Sequence, residues 1–198
     1  MMNMTPDIGM NPANPAVQRK SRAPLLLLAL VFLMPLIVAV ALVIAGWQPG
    51  VAAEGQPIVP QRNFAQENVQ IVLENGKSWA WRDTEPRLTL VALAGPGCAA
   101  NCVQAITHLA EARFMLNQNQ SRLRLLYVGQ PPASAADIGM RNYWKIGTDV
   151  HGSLADFRPR QPDTVSAILV ESNGTALSLY PAGTDAASVL RDMRKVIR

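Results

Sequence analysis

The chain has 198 residues, enough for one domain of ordinary size plus an accessory segment. Its formal charge of +4 does not point to nucleic acid. Three positive residues, Arg19, Lys20 and Arg22, crowd near the N-terminus, and from Trp47 onward 15 Lys/Arg face 13 Asp/Glu with no basic run suited to a phosphate backbone.

Residues 1–22 are polar, rich in Asn, Pro and Met, and without apolar period, which predicts a disordered tail. Residues 23–47 carry no charged side chain. About 20 such residues are what a helix needs to cross a hydrocarbon core of roughly 30 Å. A cleaved signal peptide has a shorter apolar stretch, and a buried core helix is rarely uncharged for so long, so the reading is one uncleaved transmembrane helix. The Arg19, Lys20, Arg22 cluster fixes the N-terminus in the cytoplasm. The rest of the chain then lies outside the inner (plasma) membrane, on the periplasmic side, with Trp47 at the interface. Residues 48–63, rich in Pro and Gly, read as a linker.

The remainder, 64–198, alternates strand and helix patterns. Val69, Ile71 and Leu73 alternate with polar residues, Asn75-Gly76 signals a hairpin turn, and Trp79 and Trp81 continue on a return strand. Leu88 to Leu93 is an apolar run of strand length. Gly95-Pro96-Gly97 breaks it, and a helix is expected from about Cys98 to Asn117. A strand over Leu123–Val128 follows. Residues 129–162 look irregular, with short helices near Ser134–Trp144 and Ser153. A hairpin spans 166–170 and 176–180, and a last helix begins near Thr184 or Asp185 with Val189, Leu190, Met193, Val196 and Ile197 on one face. This order predicts a mixed sheet with helices on it, an α/β sandwich. It resembles a thioredoxin fold with an added N-terminal β-hairpin, preceded by the single transmembrane helix.

The candidate chemistry lies in the pair Cys98 and Cys102. The pair follows a buried strand, where open α/β sheets place their ligand sites. It opens a helix whose free N–H groups and dipole favour a thiolate. Four-residue spacing suits two sulfurs gripping one soft cation, or a disulfide after a small adjustment. Three readings stay open: reactive or metal-binding thiols, an inert disulfide staple, and unpaired buried cysteines. A bridge closing so short a loop constrains the unfolded chain weakly. His108, six residues past Cys102, falls about 240° round the helix and reads as a surface or interface residue. His151 lies in the irregular region, as a solvated loop residue or a third metal ligand folded over the cysteines.

These features together resemble the Sco/SenC family of membrane-anchored copper chaperones for respiratory oxidase assembly. The resemblance rests on the single anchor, the strand running into a C-x-x-x-C pair, the Ala-rich helix after it, the Ile168-to-Gly174 hairpin and Tyr180-Pro-Ala-Gly183. It implies copper bound by Cys98 and Cys102 with a histidine. It further implies a partner in cytochrome c oxidase or its assembly factors, whose copper site would receive metal or have its thiols reduced. The family's Cys-Pro-x-x-Cys-Pro is here Cys98-Ala-Ala-Asn-Cys102-Val, and its histidine falls on Asp163, a hard ligand for Cu(I). The cis-proline of ordinary thioredoxin reductases is replaced near Ser166. Two other expectations follow from the residues: a general periplasmic thiol–disulfide oxidoreductase, and a non-catalytic docking module with a disulfide-stapled fold.

Overall fold

Two apolar runs set the centre of the architecture. In a computed structural model, which describes residues 23–44, 54–136 and 138–197, they form adjacent parallel strands of one seven-stranded mixed sheet. In chain order the strands are β1 (Gln56–Pro57), β2 (Ile71–Leu73), β3 (Leu88–Ala94), β4 (Leu123–Val128), β5 (Lys145–Asp149), β6 (Val165–Val170) and β7 (Ala176–Tyr180). Their spatial order is β1-β7-β6-β3-β4-β5-β2. The β3, β4 and β5 strands run parallel, and every other pairing is antiparallel. The thioredoxin-like α/β fold is therefore the fold of this domain.

The sequence of β3, apolar but for the buried Thr89, is explained by burial on both faces. Leu88, Leu90 and Ala92 pack into one core cluster with Ile106 and Leu109 of α2 (Ala100–Phe114) and Val189 and Met193 of α4 (Ala186–Val196). Val91 and Leu93 point the other way, into a second cluster with Leu126, Val128, Ile168 and Phe64. Among the described residues no α-helix contributes to that second cluster, whose cover includes the short 3-10 turn Ala155–Phe157. Coil contributes aromatic side chains: Trp81 is buried edge-on to Phe64 at 5.0 Å between ring centres and donates its indole N–H to the Val69 carbonyl at 2.7 Å. The short helix α3 (Met140–Tyr143) sits by the first cluster.

Five local expectations change. The N-terminal hairpin is reduced: the turn forms, with Gly76 at φ +77° and Leu73 N–H donating to the Lys77 carbonyl at 2.8 Å, but the return strand is a single bridge, Val72 to Ser78. Trp81 leaves the ladder because its ring is taken into the core. β2 instead pairs along its length with β5, a strand that the sequence pattern did not suggest. Part of the stretch read as linker is sheet edge, since Gln56 and Pro57 pair with β7 and Asn63 bridges to Thr175. A two-residue edge strand asks for few ladder bonds, so proline is tolerated there. The helix expected from Cys98 starts at Ala100, and Val196 is half-exposed while its expected face-mates on α4 are buried.

Asp192 on α4 fastens this edge. Its carboxylate accepts the Gly55 N–H at 3.0 Å and the Tyr180 hydroxyl at 3.4 Å, with Lys195 Nζ at 3.1 Å. A side chain at Gly55 would meet Ser178 Cβ at 2.7 Å. Burial pushes the Asp192 carboxyl up, but the Gly55 N–H and Lys195 more than offset it, so the group sits below its ordinary range. A carboxyl with a depressed folded value stabilises above its unfolded value near 3.9, and that contribution is lost as pH falls through the folded value. Asp192→Ala is expected to cost about 2 kcal/mol at neutral pH, because a buried N–H loses its charged acceptor. The gap to wild type should narrow below about pH 4, as urea titrations at pH 7 and pH 3 would show.

The chain divides into two compact units, residues 1–51 and 52–198. The described part of the first is α1 (Ala23–Ile44), 22 residues with Pro35 inside and an apolar residue at every position. At 1.5 Å per residue the helix is about 33 Å long. Among residues whose side chains are described, no helix is long and apolar enough to cross a membrane. Several α1 side chains lie outside that set, as do residues 1–22 with the positive cluster, Trp47, and 45–53.

Candidate functional site

The site is built where β3 ends. Gly95 N–H donates to the Thr164 carbonyl at 2.9 Å, and Gly97 turns the chain at φ +63°. Cys98 follows in the loop, Ala99 is the N-cap, and α2 begins at Ala100. Cys98 and Cys102 form a disulfide, with their Cα atoms 5.2 Å apart. Cys102 is fully buried beneath α2, whereas Cys98 is half-buried at the surface. Of the two cysteines, Cys98 alone reaches the surface.

Alanine at the N-cap supplies no side-chain acceptor, so the first N–H groups of α2 need one from elsewhere. Asp163 provides it from more than sixty residues away. Its Oδ1 accepts the N–H groups of Ala99 at 2.7 Å and Cys102 at 2.9 Å, and its Oδ2 accepts that of Asn101 at 3.0 Å. The Asp163 backbone is held from the other side: it takes the left-handed conformation, φ +55°, and its N–H is shared between the Pro96 and Gly97 carbonyls at 3.1 and 3.0 Å. The Cys102 N–H foremost, with those of Asn101 and Ala99, keeps the Asp163 carboxyl below its ordinary range.

The loop carrying Asp163 lies tight against β3. A methyl group at Gly95 would come within 2.5 Å of the Gln161 carbonyl oxygen. Gly95→Ala is expected to destabilise the domain by about 1–3 kcal/mol through overpacking, measured by urea unfolding, because a backbone atom must give way. The same displacement would loosen the Asp163 bonds to α2.

His108 is exposed, as expected, and lines a groove of about 260 Å³ between α2 and α4 that also includes Asn101, Gln104, Asp163 and Tyr180. His151 is exposed beyond β5, where its Nε2 lies 3.3 Å from Gln70 Oε1. Among the described residues no group of three His, Cys, Asp or Glu side chains is arranged to hold a metal ion. The three-ligand copper set does not fit these residues. The Asp163 oxygens are already occupied by backbone N–H groups, carboxylate is a hard partner for Cu(I), and His151 is engaged with Gln70. Ser166 stands opposite Leu93 and donates its hydroxyl to the Phe157 carbonyl. Sequence reasoning found the cysteines and reached Asp163 only as a position lacking a ligand. Its capping role had one signal, the absence of a capping side chain at Ala99.

A family model described as transmembrane-like, thioredoxin-like, C-terminal domain matches residues 88–198, more than half of the chain. No curated protein matches the sequence. Among solved structures, a mutant of peroxiredoxin Q from Xanthomonas campestris is 12% identical with a TM-score of 0.52, covering 72% of this chain and 99% of its own. ScoI from Bradyrhizobium japonicum with copper bound is 10% identical (TM-score 0.46, 65% and 96%). A putative thioredoxin from Neisseria meningitidis is 15% identical (TM-score 0.46, 71% and 90%). At such identities the likeness is one of fold.

Proposed function

The chain belongs to the transmembrane-like, thioredoxin-like C-terminal domain family, and from that premise we propose that it is a membrane-anchored thiol–disulfide exchange protein working on the periplasmic side. The observation that carries the proposal is the asymmetry of the pair: a half-buried Cys98 ahead of the helix and a buried Cys102 inside it. That is the arrangement exchange requires, one attackable sulfur and one resolving sulfur. A client thiolate attacks Cys98 Sγ, the Cys98–Cys102 bond breaks, and Cys102 leaves as a thiolate. The client's second thiolate then attacks its own sulfur in the mixed disulfide, which forms the client disulfide and releases Cys98 as a thiolate. Run in reverse, the dithiol passes two electrons to a client disulfide. The apolar helix α1 supplies the anchor, and the positive cluster before it sets the orientation.

The resemblance noted in the sequence suggests as client the thiols of the copper site in a cytochrome c oxidase. Thiol exchange rather than delivery of copper is the reading the donor set favours. Cysteine-trapping tests it. Cys102→Ser, lacking the resolving thiol, is expected to accumulate a mixed disulfide with a periplasmic partner. Cys98→Ser is expected to accumulate none. Equal adducts from both variants, or none from either, would remove exchange as the activity. Titration of the reduced chain with Cu(I) separates the remaining reading, since a one-to-one complex lost in both cysteine variants would restore copper transfer.

A further inference from the structure

We infer that Asp163 is a positioning residue that biases the Cys98–Cys102 pair toward the disulfide, by placing a fixed carboxylate on the helix-end N–H groups that would otherwise stabilise a thiolate. The inference deepens the thiol-exchange reading and rests on it. Low-pKa cysteines at helix starts gain their reactivity from unpaired backbone N–H groups and the positive end of the helix dipole. In this domain three of those groups, the N–H groups of Ala99, Asn101 and Cys102, are taken. One oxygen of Asp163 accepts both the N–H that follows Cys98 and the N–H of Cys102 itself, so the negative charge is seated beside both cysteines. The other oxygen takes the Asn101 N–H.

The carboxylate has little freedom to withdraw. Its own backbone is clamped to Pro96 and Gly97, on the loop that leads into Cys98, so the capping residue and the cysteine move as one body. Two effects act in the same direction. The donors are consumed, and a like charge stands close to where a thiolate would form. Both disfavour the thiolate and, with it, the dithiol form at neutral pH. A pair poised in this way is a weak oxidant and, once reduced, a strong electron donor to a client disulfide.

Asp163→Asn tests the idea in the full chain held in detergent. Asparagine tolerates the left-handed backbone and keeps an acceptor oxygen for the helix, but it carries no charge. The expected result is about a tenfold rise in the equilibrium constant for reduction by glutathione, which is about 30 mV for a two-electron couple. The rate of alkylation of reduced Cys98 by iodoacetamide at pH 7 should rise by a similar factor, with the helical circular dichroism signal unchanged. If Asp163→Asn does not fold, Asp163→Ser keeps a short uncharged acceptor and is read in the same way. An unchanged constant in a folded variant overturns the role of Asp163 and leaves thiol exchange standing. A shift that tracks lost helical signal also overturns it. A pair that does not exchange with glutathione in either protein overturns both.

Discussion

Arginine introduced at both Phe32 and Leu36 is expected to strip the chain from alkaline-washed membranes, whereas the wild-type chain stays in the pellet. The two positions are one helical turn apart near the middle of α1, on either side of Pro35. Each Arg at the centre of a spanning helix costs about 2.5–3.5 kcal/mol of insertion free energy. Two together cost roughly 5–7 kcal/mol, enough to reverse insertion of a single segment. Charge cannot escape by snorkelling from both positions, because each lies more than two turns from the nearer end of a helix about 33 Å long. Retention of the double variant in washed membranes at the wild-type level would remove the anchor.

Leu126→Ala should have the largest effect on the stability of the domain. Leu126 is fully buried in the centre of β4, flanked by Val91 on β3 and Lys145 on β5. It belongs to the core cluster that coil and a short 3-10 turn cover, with no α-helix among the described residues. Deleting three carbons there costs about 2–5 kcal/mol, and the value depends on how far the surroundings collapse. Aromatic rings such as Phe64 and Trp81, fixed by edge contacts and by a buried indole hydrogen bond, have little room to follow, which favours the upper half of that range. Against a usual total of about 5–15 kcal/mol this is a severe loss. Urea unfolding measures it, with Leu177→Ala on β7, a partly buried site, as the milder comparison. A loss under about 1 kcal/mol at Leu126 would contradict the packing described.

The central strands were legible because their signal is local. Leu88–Ala94 is apolar but for Thr89 and Leu123–Val128 but for Arg124, and a strand buried on both faces reads as such a near-continuous run. β5 was hidden for the opposite reason. Its Lys145 is exposed and its Gly147 is small because a Cβ there would meet Ile71 Cγ2 at 2.6 Å, so the run carries no apolar period. β1 was hidden by composition, since a two-residue edge strand ending in proline reads as linker. At the site, the cysteine spacing was readable and the capping was not. The acceptor for α2 comes from Asp163, and only the folded sheet brings β6 beside β3 to deliver it. The same residue that looked like a missing copper ligand is, in the fold, the partner of three backbone N–H groups.

Exchange at Cys98 requires that the disulfide be reducible while the protein is folded. The full chain in detergent, without denaturant, is treated with millimolar dithiothreitol and its free thiols are counted by mass-tagging. Two tagged thiols per chain are expected within minutes, with Cys98 modified first because Cys102 is fully buried and Cys98 is not. Thiols that appear only after unfolding in urea would mark an inert staple and contradict exchange at Cys98.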